Sequence, residues 1–243
     1  MNVMTMSPIA AQRSKIDDGD AKTLLSARAN SLVAHIQRTD FPCVGAKSAL
    51  AQDGLRVEVA EDITKADDDA RLYRVLARWS HIAAMDGPNF RSLAVVFAGP
   101  RDLDERAFEL ALWDRLSGLS AHNAAHGFAE DSRFSSDPED AHFALSFGGH
   151  AYFAVGLHPN ASRKARRLSF PAIIFNLHEQ FERLREEQLY ERMREVILAR
   201  DEQFDGTANP MIARHGEQSE ARQYSGREVE ADWTCPFSPG EKT

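Results

Sequence analysis

The sequence predicts an α+β fold, a single domain whose antiparallel-rich mixed sheet is covered by helices. Three observations carry this. Runs of strand length, LRVEV at 55–59, SLAVVFA at 92–98 and FPAIIFN at 170–176, are interleaved with longer stretches whose apolar residues recur at helical spacing. Gly148-Gly149 separates two further strand-like runs, as a two-residue hairpin turn does. The elements follow no regular βαβ alternation, so a doubly wound parallel sheet is not expected.

Residues 1–20 are polar and aperiodic and read as a flexible leader. Leu24, Leu25, Ala29, Leu32, Val33 and Ile36 then predict an amphipathic helix over 21–39, stopped by Asp40-Phe41-Pro42. After a turn at Asp53-Gly54, LRVEV is an edge strand. A helix beginning at Thr64 carries Ala70, Tyr73, Leu76, Ala77, Ile82 and Ala83 toward a core and ends at Asp86-Gly87-Pro88-Asn89. The β-branched run 92–98 is a buried strand closed by Gly99-Pro100, and a helix follows from 102 or 103 to about 121. The Ser/Asp/Glu-rich stretch 127–140 is a surface loop. His142–Phe147 and Ala151–Leu157 are the hairpin strands, 170–176 a further strand, and Glu179–Arg200 one long charged helix with unfavourable i,i+4 pairs such as Glu187 with Glu191. A globular domain over 21–237 and a short tail over 238–243 complete the organisation.

Twenty-nine basic against 37 acidic residues give a net charge of −8, which argues against nucleic acid as the main partner. At 43% hydrophobic and 27% charged the chain is globular in type. Cys43 and Cys235 form neither a disulfide framework nor a C-x-x-C pattern, which excludes covalent haem attachment and a zinc ribbon. The N-terminus has no run of signal-peptide length, and the longest uncharged stretch contains histidines, a glycine pair and Pro159. A cytoplasmic protein without a membrane helix is expected.

Nine histidines are the notable count. Against the overall acidity, 141–178 contains no acid but holds Arg163, Lys164, Arg166 and Arg167, either a solvated basic turn or a site for carboxylate or phosphate. His158 stands at a strand end just ahead of it, as a hydrogen-bonded core residue or as a ligand. His142, His150 and His158 are eight apart, but Gly148-Gly149 breaks the phase, and no H-E-x-x-H, G-x-G-x-x-G, P-loop or G-x-S-x-G motif occurs. Cys43, in FPCV, is a buried free thiol, a nucleophile or a soft ligand.

FPCV followed by Lys47, FGG-x-AYF-x-VGLHP-x-ASR-x-ARR, FN-x-H-x-QFERLR, Arg200-Asp201, NPM at 209–211, SEARQYSGR at 219–227 and W-x-CPF at 233–237 together resemble the YqcI/YcgG family. The blocks run from about Phe41 to Phe237. Members include haem-dependent N-hydroxylases acting on the guanidine of arginine or arginine-like amino acids. The resemblance implies a non-covalent haem b with an imidazole axial ligand. Next to propionate-neutralising Arg163, Arg166, Arg167 and Lys47, that ligand is expected to be His158, with His178 and Cys43 as alternatives. His150 becomes a distal or pocket residue and Tyr224 a distal hydrogen-bond donor or a core tyrosine. Glu182, Asp201 and Glu220 are candidates for the substrate guanidinium, and Arg222 and Arg227 for its carboxylate. Leu168 and Ile212-Ala213-Arg214 depart from the commoner residues of these motifs, which bears on substrate preference. The partners implied are a small guanidine-bearing amino acid, dioxygen or peroxide, and an electron donor where dioxygen is used; a homodimer is compatible. A haem-binding or haem-sensing protein without catalysis, a non-haem iron enzyme using His142, His150 or His158, and a Cys43-based enzyme are the competing readings.

Overall fold

The structure, a computed structural model, describes residues 18–85, 89–212 and 216–238. Five strands form one sheet in the order β1-β2-β5-β4-β3: β1 Leu55–Asp62, β2 Ser92–Gly99, β3 Leu145–Phe147, β4 His150–Leu157 and β5 Ala172–Leu177. β1 pairs with β2 in parallel, and every other neighbouring pair is antiparallel. The helices are α1 Asp18–Gln37, α2 Val44–Ala51, α3 Asp69–Met85, α4 Glu105–Ala125, α5 His178–Glu186, α6 Tyr190–Asp205 and the single turn α7 Ala221–Tyr224. The expected class therefore holds, and β1 is an edge strand as its alternation predicts.

Strand alternation sorts the side chains onto two faces. Leu93, Val95 and Phe97 of β2, Tyr152 and Ala154 of β4, and Ile173 and Phe175 of β5 pack with Leu72, Leu76, Phe108, Leu112 and Trp113 of α3 and α4. The intervening residues Ala94, Val96, Leu157 and Ala172 pack instead with Leu32 and Ile36 of α1 and Phe41. Gly156 marks how closely α4 approaches the sheet: a Cβ there would lie 2.6 Å from Leu112 Cδ1 and 2.8 Å from Phe108 Cε1. The hairpin is as read, since Phe147 pairs with His150 across Gly148 (φ +60°) and Gly149 (φ +82°), the positive-φ pair of a type I′ turn.

Several boundaries move. α1 starts at Asp18, inside the expected leader; residues 1–17 and 239–243 lie outside the described residues, as do 86–88 of the expected helix stop and Ala213-Arg214. α3 begins at Asp69 rather than Thr64, because Asp62 accepts from the Thr64 backbone and hydroxyl in a turn. α2 is an element that periodicity does not reveal: VGAKSALA is short and contains a glycine, and its N-cap is Cys43, whose Sγ accepts from the Ala46 N–H at 3.4 Å.

The long helix expected over 179–200 is two helices. Gln188 takes φ +58°, its N–H bonds the Arg185 carbonyl at 3.0 Å, and the Leu189 N–H bonds that of Leu184 at 2.8 Å. This is a Schellman stop with glutamine in the place usually held by glycine. The turn lets α6 fold back toward α2 and the turn at Lys164–Arg166.

Candidate functional site

Between the second face of the sheet and α1, α2, α5 and α6 lies a cavity of about 280 Å³. Its walls are mostly apolar: Leu32 and Ile36 from α1, Ala49 from α2, Phe153 and Val155 from β4, Ile174 from β5 and Ile197 from α6. α6 presents Tyr190, Met193, Arg194, Ile197 and Asp201, a single face at helical spacing.

The charged residues set into these walls differ in how they are satisfied. The Arg163 side chain pairs with Asp201 and, through Nε at 2.6 Å, with Asp205, so this cation is neutralised twice over by α6. Arg185 pairs with Glu182 and lies over the Tyr190 ring. Arg166 has no carboxylate within ion-pair distance among the described residues. Its guanidinium donates only to backbone carbonyls, Gly156 at 3.0 Å, Gln223 at 3.2 Å and Tyr224 at 3.5 Å, and burial pulls its pKa down to about 10. Gly226 makes room for it, since a Cβ there would stand 3.1 Å from Arg166 Cγ.

Two donors suited to a metal reach the same cavity. His35 places Nε2 3.0 Å from the Ala165 carbonyl, so that nitrogen carries the proton and Nδ1 keeps its lone pair; burial lowers the ring's pKa. The Cys43 thiol caps α2, and burial raises its pKa despite the Arg166 charge nearby. Glu220 also lines the cavity, with its carboxylate 3.1 Å from Nε2 of His178, a ring that is 1% exposed and enclosed by Phe134, Phe153 and Phe181.

Of the residues singled out from sequence, the cavity brings together Cys43, Arg163, Arg166, Asp201 and Glu220. His178 reaches it through Glu220, and Glu182 through Arg185. His158 does not reach it. Phe153, Val155 and Leu157 face the cavity, so His158 continues the opposite register of Tyr152, Ala154 and Gly156, and its ring stacks on Phe108 with centroids 4.3 Å apart. It is 2% exposed, its Nδ1 has no partner, and burial drives its pKa down to about 4.

Lys47 caps the end of α1 through the carbonyls of Arg38 and Thr39, and Arg167 donates to those of Ala161 and Ser162. His150 sits 3.0 Å from Glu179. Tyr224 is a core residue, donating to the Tyr152 carbonyl at 3.2 Å and stacked on Trp113. Arg227 is bound to Glu109 and Glu230, and Arg222 lies over Trp233; both belong to the α4 side of the sheet. His142, His150 and His158 do not converge, and no group of three metal-ligating side chains forms among the described residues. His35, Arg185, Tyr190 and Arg194 also line the cavity, and no motif in the sequence assigns them a role. The α6 face was legible from its spacing; His35 carries no local signal beyond sitting between Leu32 and Ile36 on an apolar helix face.

The model of the YqcI/YcgG family matches residues 32–238. The chain belongs to the YqcI/YcgG family. It is 30% identical over 208 residues to YcgG of Bacillus subtilis (strain 168), covering 82% of this chain and 81% of the relative. It is 27% identical over 207 residues to YqcI of the same organism, covering 81% and 80%. Both relatives are described as uncharacterized proteins. No solved structure matches the chain. Among the described residues no helix is long and apolar enough to cross a membrane.

Proposed function

We propose that this member of the YqcI/YcgG family binds haem b in the cavity and N-hydroxylates the guanidine group of arginine or a related amino acid. The observation that supports this best is Arg166, a cation at an apolar cavity wall whose partners among the described residues are carbonyls. Its missing counter-charge suits a ligand with an apolar body and a carboxylate edge, which describes haem and its propionates. The residues present fit the group: aliphatic and aromatic walls for the ring, Arg166 for a propionate, and His35 or Cys43 for the iron. The Ala165 carbonyl holds His35 in one tautomer and orientation.

When bound, the haem supplies the oxidising chemistry that draws on dioxygen or peroxide. The chain's own residues bind and orient. Burial keeps His35 neutral, the state in which it ligates. The apolar walls exclude water from the substrate nitrogen. Glu220, on the cavity wall beside His178, is the candidate acid for the substrate guanidinium. The net change converts N–H to N–OH. With dioxygen, an external reductant supplies an electron pair and the second oxygen leaves as water; with peroxide, water leaves and no reductant is required.

Incubating haem-loaded protein with arginine and either peroxide or dioxygen plus a reductant tests this, with mass spectrometry of the products. Nω-hydroxyarginine is the expected outcome. Haem binding without hydroxyarginine would make the protein a haem-binding module, and failure to take up haem would overturn the reading altogether.

A further inference from the structure

Resting on that reading, we infer that Arg194 is the carboxylate clamp of the substrate site, the residue that makes the cavity select α-amino acids over other guanidines. Arg222 and Arg227, the arginines that sequence reading offers for this role, are held on the far side of the sheet. Arg194 projects from the cavity face of α6, one helical turn beyond Tyr190.

Its satisfaction is incomplete. NH2 donates to the Ile212 carbonyl at 3.0 Å, and NH1 stands 3.9 Å from a Glu191 carboxylate whose side chain is 56% exposed, a weak and solvent-screened pairing. Among the described residues Nε is buried and has no hydrogen-bond acceptor. The other cavity arginines have closer partners: Arg163 has two carboxylates, although its Nε likewise makes no aligned hydrogen bond, Arg185 has one, and Arg166 has three carbonyls. A buried guanidinium N–H without an acceptor is costly, and a ligand carboxylate is the group whose two oxygens match a guanidinium edge. Arg166 remains for the cofactor, so among the described residues the cavity holds two cations without a close carboxylate, one for the cofactor and one for the substrate.

The test compares arginine with agmatine, which carries the same guanidine but no carboxylate, by calorimetric binding to haem-loaded wild type, Arg194→Gln and Arg194→Lys. Arg194→Gln is expected to weaken arginine roughly 10- to 100-fold and to leave agmatine unchanged. Arg194→Lys should recover part of the loss, since it restores the charge without the fork. Equal loss for both ligands would show a structural role and overturn the assignment; so would no loss for arginine, or wild type failing to bind it. Binding is read without turnover. A protein that loses arginine selectively in Arg194→Gln but forms no hydroxyarginine keeps the clamp and loses the reaction, whereas turnover with indifferent Arg194 variants does the reverse.

Discussion

Arg163 and Arg166 lie three positions apart in one basic turn and have opposite fates. Two carboxylates from α6 neutralise Arg163, while Arg166 turns inward beneath Gly226 and meets only carbonyls. The acid-free stretch 141–178 made the cluster visible in the sequence. Which of its charges is spent depends on Asp201 and Asp205, some forty residues away, and no local pattern encodes that pairing. His158 makes the same point in reverse: its position beside the cluster suggests a ligand, but strand parity turns it onto Phe108. There it is held neutral, and its folded pKa of about 4 lies below that of the unfolded chain. The unfolded state therefore takes up the proton first as pH falls. The stability tied to the neutral ring is present above about pH 6.5 and is lost progressively down to about pH 4. Urea midpoints measured between these limits should fall more steeply for wild type than for His158→Phe. Parallel slopes would mean that the ring titrates normally.

At the scale of elements, sequence periodicity located β1, β2, β4, β5, α1, α3 and α4 well enough to place the layers. It failed where a helix is stopped by an unusual residue. Asp53 (φ +57°) ends α2 and Gln188 (φ +58°) ends α5, each standing where glycine is the common signal. The like-charged i,i+4 pairs Glu182–Glu186 and Glu187–Glu191 weakened the case for a continuous helix without marking the break. A non-glycine residue in the left-handed region costs about 1 kcal/mol, so Gln188→Gly should stabilise the protein by about 0.5–1 kcal/mol in chemical denaturation. A loss of stability would show that the Gln188 side chain contributes more than its backbone strain costs. The break is also what forms the site, because α6 carries Tyr190, Arg194, Ile197 and Asp201 back over the sheet only after the chain turns at 188.

Over the whole molecule the sheet divides two kinds of interior. The face under α3 and α4 is filled with Trp113, Tyr152, Tyr224, Phe108 and other large side chains, and Gly156 shows how little space is left there. The face under α1, α2 and α6 is lined by aliphatic and aromatic groups and arginines and contains the cavity. Both faces carry apolar residues in the strand sequences, so alternation predicts that there are two but not which is hollow. The resemblance implies chemistry near 150–170; there the cavity is lined by Phe153, Val155 and Leu157 of β4, and His158 lies on the opposite face against Phe108. Titrating haem into wild type, Val155→Trp and His158→Gln, each checked for folding by circular dichroism, tests this assignment most directly. The expected result is a Soret band that is strong in wild type and in His158→Gln and lost in Val155→Trp, whose indole fills the cavity. A band that survives Val155→Trp and disappears in His158→Gln would contradict it.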